Sequence, residues 1–340
     1  MTMDYLIPHF HDYLNEEGEV DVAGYTFSRD NILKELEEEG YKEAFADWLQ
    51  QRQIENLSRA EEILSLHDNR ARFNRLKEIY ARGAVIPFVG AGMSMPSDYP
   101  GWTKFLYQVL DETKVSKADF AEAIAKGQYE EAAQMLSDAL PAGCFLEQVE
   151  NAFGANQDIY GVVQRLPKIF KQAVVTTNFD NVLNRCYENA NFNFEEELLG
   201  PNAEELPRAL GENRRVLVKL HGKANSSRNR ILTKNEYDNH YQDEQALESV
   251  IEAISNRTLL FLGCSLTVDR TVQCLARIVA RKGHEHVPRH YAFLKLNEGE
   301  DRLARRDQLA AGNIYPIWYT DDHDESIEAL LEKLAEGVNQ

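Results

Sequence analysis

Apolar and polar positions divide the chain into two textures. Up to residue 83 the apolar residues recur at helical spacing. In NILKELEEEGYKEAFADWL, for example, Ile32, Leu33 and Leu36 are followed by Phe45, Trp48 and Leu49. Ser58 with Glu61 reads as an S-x-x-E capping box that opens a long helix, and Gly83 closes it after Arg82. Residues 1–83 are therefore expected to form a helical N-terminal extension, with the main domain at 84–340. From residue 84 short, nearly continuous apolar runs take over: AVIPFV (84–89), AVVTT (173–177), VLVKL (216–220), TLLFLG (258–263), HYAFLK (290–295) and IYPIWY (314–319). Amphipathic stretches such as 267–281 and 299–311 separate them. Strands of this kind, alternating with helices, predict an α/β fold with a parallel sheet covered on both faces. Pro87 lacks a ladder donor, which puts the register of the first strand in question but not its existence. Residues 102–165 show successive helical patterns and no strand. They are expected to be a helical insertion after the first strand, lying over the glycine loop that follows it.

Composition narrows the picture. With 340 residues, 43% of them hydrophobic, the chain can bury a substantial core. No apolar run reaches the roughly 18 residues a membrane span needs, so no membrane association is expected. The start, MTMDYLIPHFHDYL, does not read as a secretion signal. Cys144, Cys186, Cys264 and Cys274 are scattered without a CxxC pair, which suits thiols in a reducing cytoplasm and offers no zinc spacing. The formal net charge of −19 opposes nucleic acid over most of the surface. Residues 1–66 alone hold 16 Asp/Glu against 5 Lys/Arg. This acidic extension is either a solvated face packed on the main domain or a docking surface for another chain.

Candidate chemistry begins at VIPFVGAGMS (85–94), where a strand runs into Gly90-Ala91-Gly92 and then Ser94. Glycines after a strand admit a pyrophosphate to the backbone, and a helix N-terminus beyond them supplies amide donors. The same letters also suit a simple tight turn. A dinucleotide fingerprint would continue G-x-G-x-x-G, but Met95 follows Gly92 where the third glycine is due, and Asp111 and Glu112 lie inside a helical stretch. A hydride-transferring dehydrogenase is thereby disfavoured. Three further strand ends carry polar residues, at the edge where open α/β sheets bind ligands. They are TTNFD (Thr176, Thr177, Asn178, Phe179, Asp180), KLHG (Lys219 to Gly222, with His221) and LGCSLTVD (Gly263, Cys264, Ser265, Leu266, then Asp269). Asp180 or Thr267 alone would serve as a helix cap, but four such ends on one edge exceed what capping requires. His284, His286 and His290 lack nearby carboxylates or cysteines and read as a solvated loop, so no metal site is expected.

GAGMS, TTNFD, KLHG and GCSL, in this order, resemble the sirtuin-like family, and more narrowly its NAD-hydrolysing branch in bacterial antiphage defence. The resemblance covers residues 84–320. It implies a Rossmann-like parallel sheet of about six strands with helices on both faces. It also implies that Gly90, Ala91, Gly92 and Ser94 hold the pyrophosphate and nearby ribose, and that Asn178 and Asp180 sit by the nicotinamide ribose and carboxamide. By the same likeness His221 is the catalytic base, Ser265 faces the adenosine side, and Thr177 and Gly263 join the NAD-binding set. The residue types suit the reaction. Asn178 offers both donor and acceptor, and an imidazole of ordinary pKa near 6.5 can accept a proton. Sirtuin deacylases carry two CxxC pairs after the histidine, whereas residues 222–257 contain no cysteine. No zinc is expected, and NAD is a substrate with no further cofactor.

The reading is an NAD-cleaving hydrolase. A sirtuin-type protein deacylase or ADP-ribosyl transferase, and a catalytically idle nucleotide-binding subunit, are the alternatives. The family likeness further implies a toxic effector of abortive infection, working as a homo-oligomer with a second, infection-sensing subunit. That subunit would be a HerA-like ATPase or a nucleotide-processing enzyme.

Overall fold

The computed structural model describes residues 4–226, 230–241, 244–267 and 270–338, so Asp269 lies outside the described residues. Nine strands occur among them. β1 (Val20–Val22) and β2 (Tyr25–Phe27) form a small antiparallel hairpin in the extension. The other seven are β3 (Val85–Val89), β4 (Ala173–Thr176), β5 (Glu196–Leu199), β6 (Val216–Lys219), β7 (Thr258–Leu262), β8 (His290–Lys295) and β9 (Ile314–Tyr319). They make one parallel sheet in the order β5-β6-β4-β3-β7-β8-β9. Each of the six expected runs is a strand. The seventh, β5, pairs only with β6 at the sheet's edge, and its sequence EELL is half polar and only partly buried.

Residues alternate between two apolar layers. Val174, Leu217 and Leu260 face one, Val175, Val218 and Phe261 the other. Burial on both faces is why the strands read as unbroken apolar runs. Pro87 sits in β3 without breaking it. Gly90 donates its N–H to Leu262 O on the β7 side, so by the two-residue alternation the donor Pro87 lacks would point toward β4. The β3–β4 ladder spans only Phe88 and Val89, so no bond is lost. From β3 the chain builds outward through β4 to β6 and β5, then crosses to β7 on the other side. The order reverses between β3 and β7, which opens a crevice at their carboxyl ends.

Residues 4–83 are helical apart from the hairpin and short connections, but the capping box is not used. Ser58 lies inside a helix that runs unbroken from Glu38 to Ser65. The break comes later, at extended Leu66 and at His67 with φ of +48°, before the helix Asn69–Tyr80. Asn69 explains its position. Its buried amide donates to Ile63 O and Trp318 O, both at 2.7 Å, and its Oδ1 accepts the Trp318 N–H at 2.9 Å. One side chain thus does for the outer edge of β9 what a neighbouring strand would do. Arg72 adds a bond to Pro316 O at 2.6 Å. Ile63, Phe73, Leu76 and Tyr80 enter the main core.

The far side of the extension is tied down by charge. Arg52 meets Glu328 at 2.6 Å, while Arg165 reaches both Glu328, at 3.4 Å, and Glu332. This buried clasp joins the helix Glu38–Ser65, the end of the insertion and the last helix, His323–Ala335. The insertion itself contains the helices Trp102–Leu110, Lys117–Ala125, Tyr129–Ala139 and Cys144–Phe153. It contributes Trp102, Lys104, Tyr129 and Glu130 to the wall of the crevice.

Candidate functional site

The crevice holds a cavity of about 370 Å³. Its lining includes Gly90, Ala91 and Gly92 from the end of β3, Thr177 beyond β4, His221 beyond β6, and Gly263, Cys264 and Ser265 beyond β7. All of these but Cys264 were assigned to the site from the sequence, so seven predicted residues meet around one space. A second hollow of about 220 Å³ shares Gly263, Cys264 and Ser265 and continues past them to Lys295, Asn297, Arg305, Tyr319 and His323. Together the two follow the carboxyl edge of the sheet from β6 to β9.

The glycines have a reason the sequence did not disclose. A Cβ on Gly92 would stand 2.9 Å from Gly263 Cα and O and 3.0 Å from His323 Nε2. Gly263, at φ of +65°, would bring a Cβ within 2.6 Å of Met93 N. The two loops interlock, fastened by the Gly92 N–H donating to Gly263 O at 2.9 Å. The small side chain was expected to leave room for a pyrophosphate; in the structure the opposite loop takes up that room first.

Ser94, Asn178 and Asp180 stand behind this loop, buried and outside the cavity lining. Asn178 donates from Nδ2 to Gly90 O and to Ser94 Oγ, each at 3.1 Å, and its backbone N–H reaches Thr176 Oγ1 at 3.0 Å. Its Oδ1 is buried and meets no partner. Asp180 accepts the Val182 N–H at 3.0 Å and so starts the helix Val182–Asn189; Ser94 also hydrogen-bonds its carboxylate. Burial pushes the Asp180 carboxyl up, opposed by Lys219. The Lys219 ammonium is itself pushed down to about 8 by burial, opposed by Asp180 and Glu197. It donates to Asp180 O at 2.5 Å and Phe179 O at 3.3 Å. This layer holds the glycine loop from below.

His221 stands in a ring of aromatic residues, with Trp102, Phe179 and Tyr237 at centroid distances of 6.5, 6.0 and 5.9 Å. A 2.8 Å hydrogen bond joins its Nε2 to the Tyr237 hydroxyl, while Nδ1 is buried without a partner. Burial, helped by the Arg270 charge, pushes the imidazole down to about 4, so it is neutral near pH 7. A neutral imidazole can receive a proton, and the water-poor ring strengthens any charge interaction made there.

Tyr237, Arg270 and Trp102 carried no signal in the sequence, because each sits in an ordinary helical pattern. Asn297 could have been found. It follows β8 in KLNEG, another polar residue at a strand's carboxyl end. The histidines of GHEHVPRH diverge. His290 is buried in β8, its Nδ1 accepting the Leu259 N–H at 3.1 Å, whereas His286 is exposed. Among the described residues no group of three His, Cys, Asp or Glu is placed to hold a metal ion, and no helix is long and apolar enough to cross a membrane.

A parallel sheet whose strand order reverses at a glycine-lined crevice defines an α/β protein of the Rossmann-like kind. More narrowly, residues 172–317 match the family model described as a SIR2-like domain. The sirtuin-like resemblance drawn from the four motifs therefore holds, although Gly90 to Ser94 lie outside the matched span. Among curated relatives, the NAD(+) hydrolase ThsA of Enterococcus faecium is 21% identical over 230 residues, 67% of this chain and 46% of that protein. The NAD(+) hydrolase ThsA of Bacillus cereus (strain MSX-D12) is 24% identical over 249 residues, 71% of this chain and 48% of that protein. The defense-associated sirtuin 2 of Bacillus subtilis is 23% identical over 198 residues, 56% of this chain and 19% of that protein. The chain thus spans about half the length of the two hydrolases and about a fifth of the third relative.

Proposed function

We propose that this chain hydrolyses NAD to nicotinamide and ADP-ribose, and that it does so as the toxic effector of an antiphage system. The observation that carries the reading is the neutral His221 at one end of a crevice that passes the glycine loop and continues beyond Ser265. A dinucleotide laid along this edge would put its nicotinamide–ribose bond beside His221 and its adenosine toward Asn297. The diphosphate would cross the interlocked loops. As the C1′–N bond breaks, its electron pair goes to the nicotinamide ring nitrogen, which leaves neutral. Water forms the new C1′–O bond and gives its proton to His221. Because the leaving group is neutral, the site's work is chiefly to position, exclude water and stabilise the developing oxocarbenium charge. Asn178, through the Gly90 and Ser94 bonds, keeps the loop in place from outside the cavity lining. The names and shared length of the ThsA hydrolases support this activity.

Purified protein incubated with NAD should release nicotinamide and ADP-ribose in equal amounts. Binding of NAD without release would leave an idle nucleotide-binding subunit instead.

Control is proposed to come from assembly, as a homo-oligomer with a second, infection-sensing subunit. The acidic residues 1–66, which expose Tyr25, Leu36 and Ile54, would supply part of the contact to a basic partner surface. Such association weakens with salt. A complex whose size does not change at high salt would contradict the electrostatic part of this reading.

A further inference from the structure

We propose that His221 takes up the substrate's proton at Nδ1, and that Tyr237 is the positioning residue that fixes the imidazole in the required tautomer. The inference rests on the NAD-cleaving reading of the site and deepens it. A neutral imidazole carries one N–H and one lone pair, and the neighbours decide which nitrogen has which. Nε2 lies 2.8 Å from the Tyr237 hydroxyl, and Nδ1 is buried with no partner. With the proton on Nδ1, a buried N–H would have no acceptor. With the proton on Nε2, that N–H donates to the Tyr237 oxygen and only a lone pair is left open. Orphaned buried N–H groups are much the rarer of the two, so the second tautomer is favoured. It is also the one a base needs.

In the reaction the Nδ1 lone pair takes a proton from the attacking water. The water oxygen forms the C1′–O bond as the C1′–N pair leaves with nicotinamide. The resulting imidazolium, protonated on both nitrogens, returns the Nδ1 proton to solvent.

Tyr237 is itself held from two sides. It is buried in the helix Lys234–Tyr241, and the Arg270 guanidinium lies 4.6 Å over its ring. Arg270 in turn meets Glu130, on the insertion helix Tyr129–Ala139, at 2.8 Å. Among the described residues the Tyr237 hydroxyl and the Arg270 charge, backed by Glu130, act on His221 from the packed helices, and Lys104 lines the same cavity. Trp102 and Phe179 close the remaining sides without charge. The strap from Glu130 to Tyr237 therefore joins the insertion to the proton acceptor.

The test is a two-bond ¹H–¹⁵N correlation spectrum of histidine-labelled full chain near pH 7 without NAD, paired with steady-state kinetics. We expect His221 to show a protonated Nε2 and an unprotonated Nδ1. Tyr237→Phe should mix the tautomers and lower kcat by about tenfold or more, with KM changed less than about twofold. Nδ1 as the protonated nitrogen in the wild-type chain would overturn the assignment. So would a Tyr237→Phe variant with unchanged tautomer and unchanged kcat. A chain that cleaves NAD with Nδ1 protonated refutes the assignment alone. One with the expected tautomer but no cleavage refutes the activity and supports the role of Tyr237 in fixing the ring.

Discussion

Two buried polar clusters in this molecule are built on opposite terms. In the clasp of Arg52, Arg165, Glu328 and Glu332, each guanidinium faces a carboxylate of the C-terminal helix. Around the glycine loop three atoms, Asn178 Oδ1, His221 Nδ1 and His323 Nε2, are buried without partners among the described residues. A buried polar atom without a partner costs stability, so a fold keeps one where something else will supply the missing bond. The first cluster holds helices together; in the second, His221 stands at the cavity that the proposed function fills with substrate.

Substitutions should separate these roles. The largest expected effect is on chemistry alone. His221→Ala should lower NAD turnover by about 10²–10⁴-fold, the usual loss for a general base, while thermal unfolding of the variant stays close to that of the parent. Near-normal turnover in a time course would place the chemistry elsewhere. Glu328→Ala should do the converse. Losing the shared carboxylate leaves buried Arg165 with fewer partners, at a cost of about 3–5 kcal/mol in denaturant unfolding, with kcat per folded molecule unchanged.

Gly92→Val falls between the two clusters and should blur the comparison. Its side chain would collide with Gly263 before any ligand is present, so about 1–3 kcal/mol of stability and the affinity for NAD should fall together. Calorimetric titration beside a melting curve would show both. Lost affinity at unchanged stability would mean the loops yield easily.

The smallest effects are in pH dependence. Burial holds His221 down to about 4, so kcat/KM should stay level from pH 7 to about 5 and fall only below that. An acid limb centred near 6.5 would mean the ring is wetter than its surroundings indicate. His290, which burial pushes down to about 3, bears on stability, as the depressed His221 also does. The unfolded chain protonates this ring near 6.5 and the folded one does not. Stability is thus lost as pH falls below 6.5, at up to about 1.4 kcal/mol per unit for this group. His290→Asn should flatten that part of the profile.

The sheet was legible because its strands are buried on both faces, which removes any ambiguity of alternation. β5 was missed because an edge strand of two glutamates and two leucines carries half the signal. The cavity-lining residues at strand ends could be read by position in the chain. The partners of His221 could not, because Tyr237 and Arg270 reach it through helix packing that no local pattern encodes. Ser58 shows the opposite error. A capping pair matched locally, but burial of Ala60, Ile63 and Leu64 keeps that helix unbroken, and the real break was set by Asn69, whose partner Trp318 lies 249 residues away.

That separation has a consequence in time. During synthesis Asn69 emerges long before the strand it must cap, and at about 5–20 residues per second the wait is on the order of tens of seconds. Once β9 is made, its outer backbone groups are open to any extended chain until Asn69 and Arg72 reach them. The outer edge of β9 is thus closed by Asn69 and Arg72, residues made well before it. Where that closure lags, the newly finished sheet has an open rim on which a second nascent chain can add.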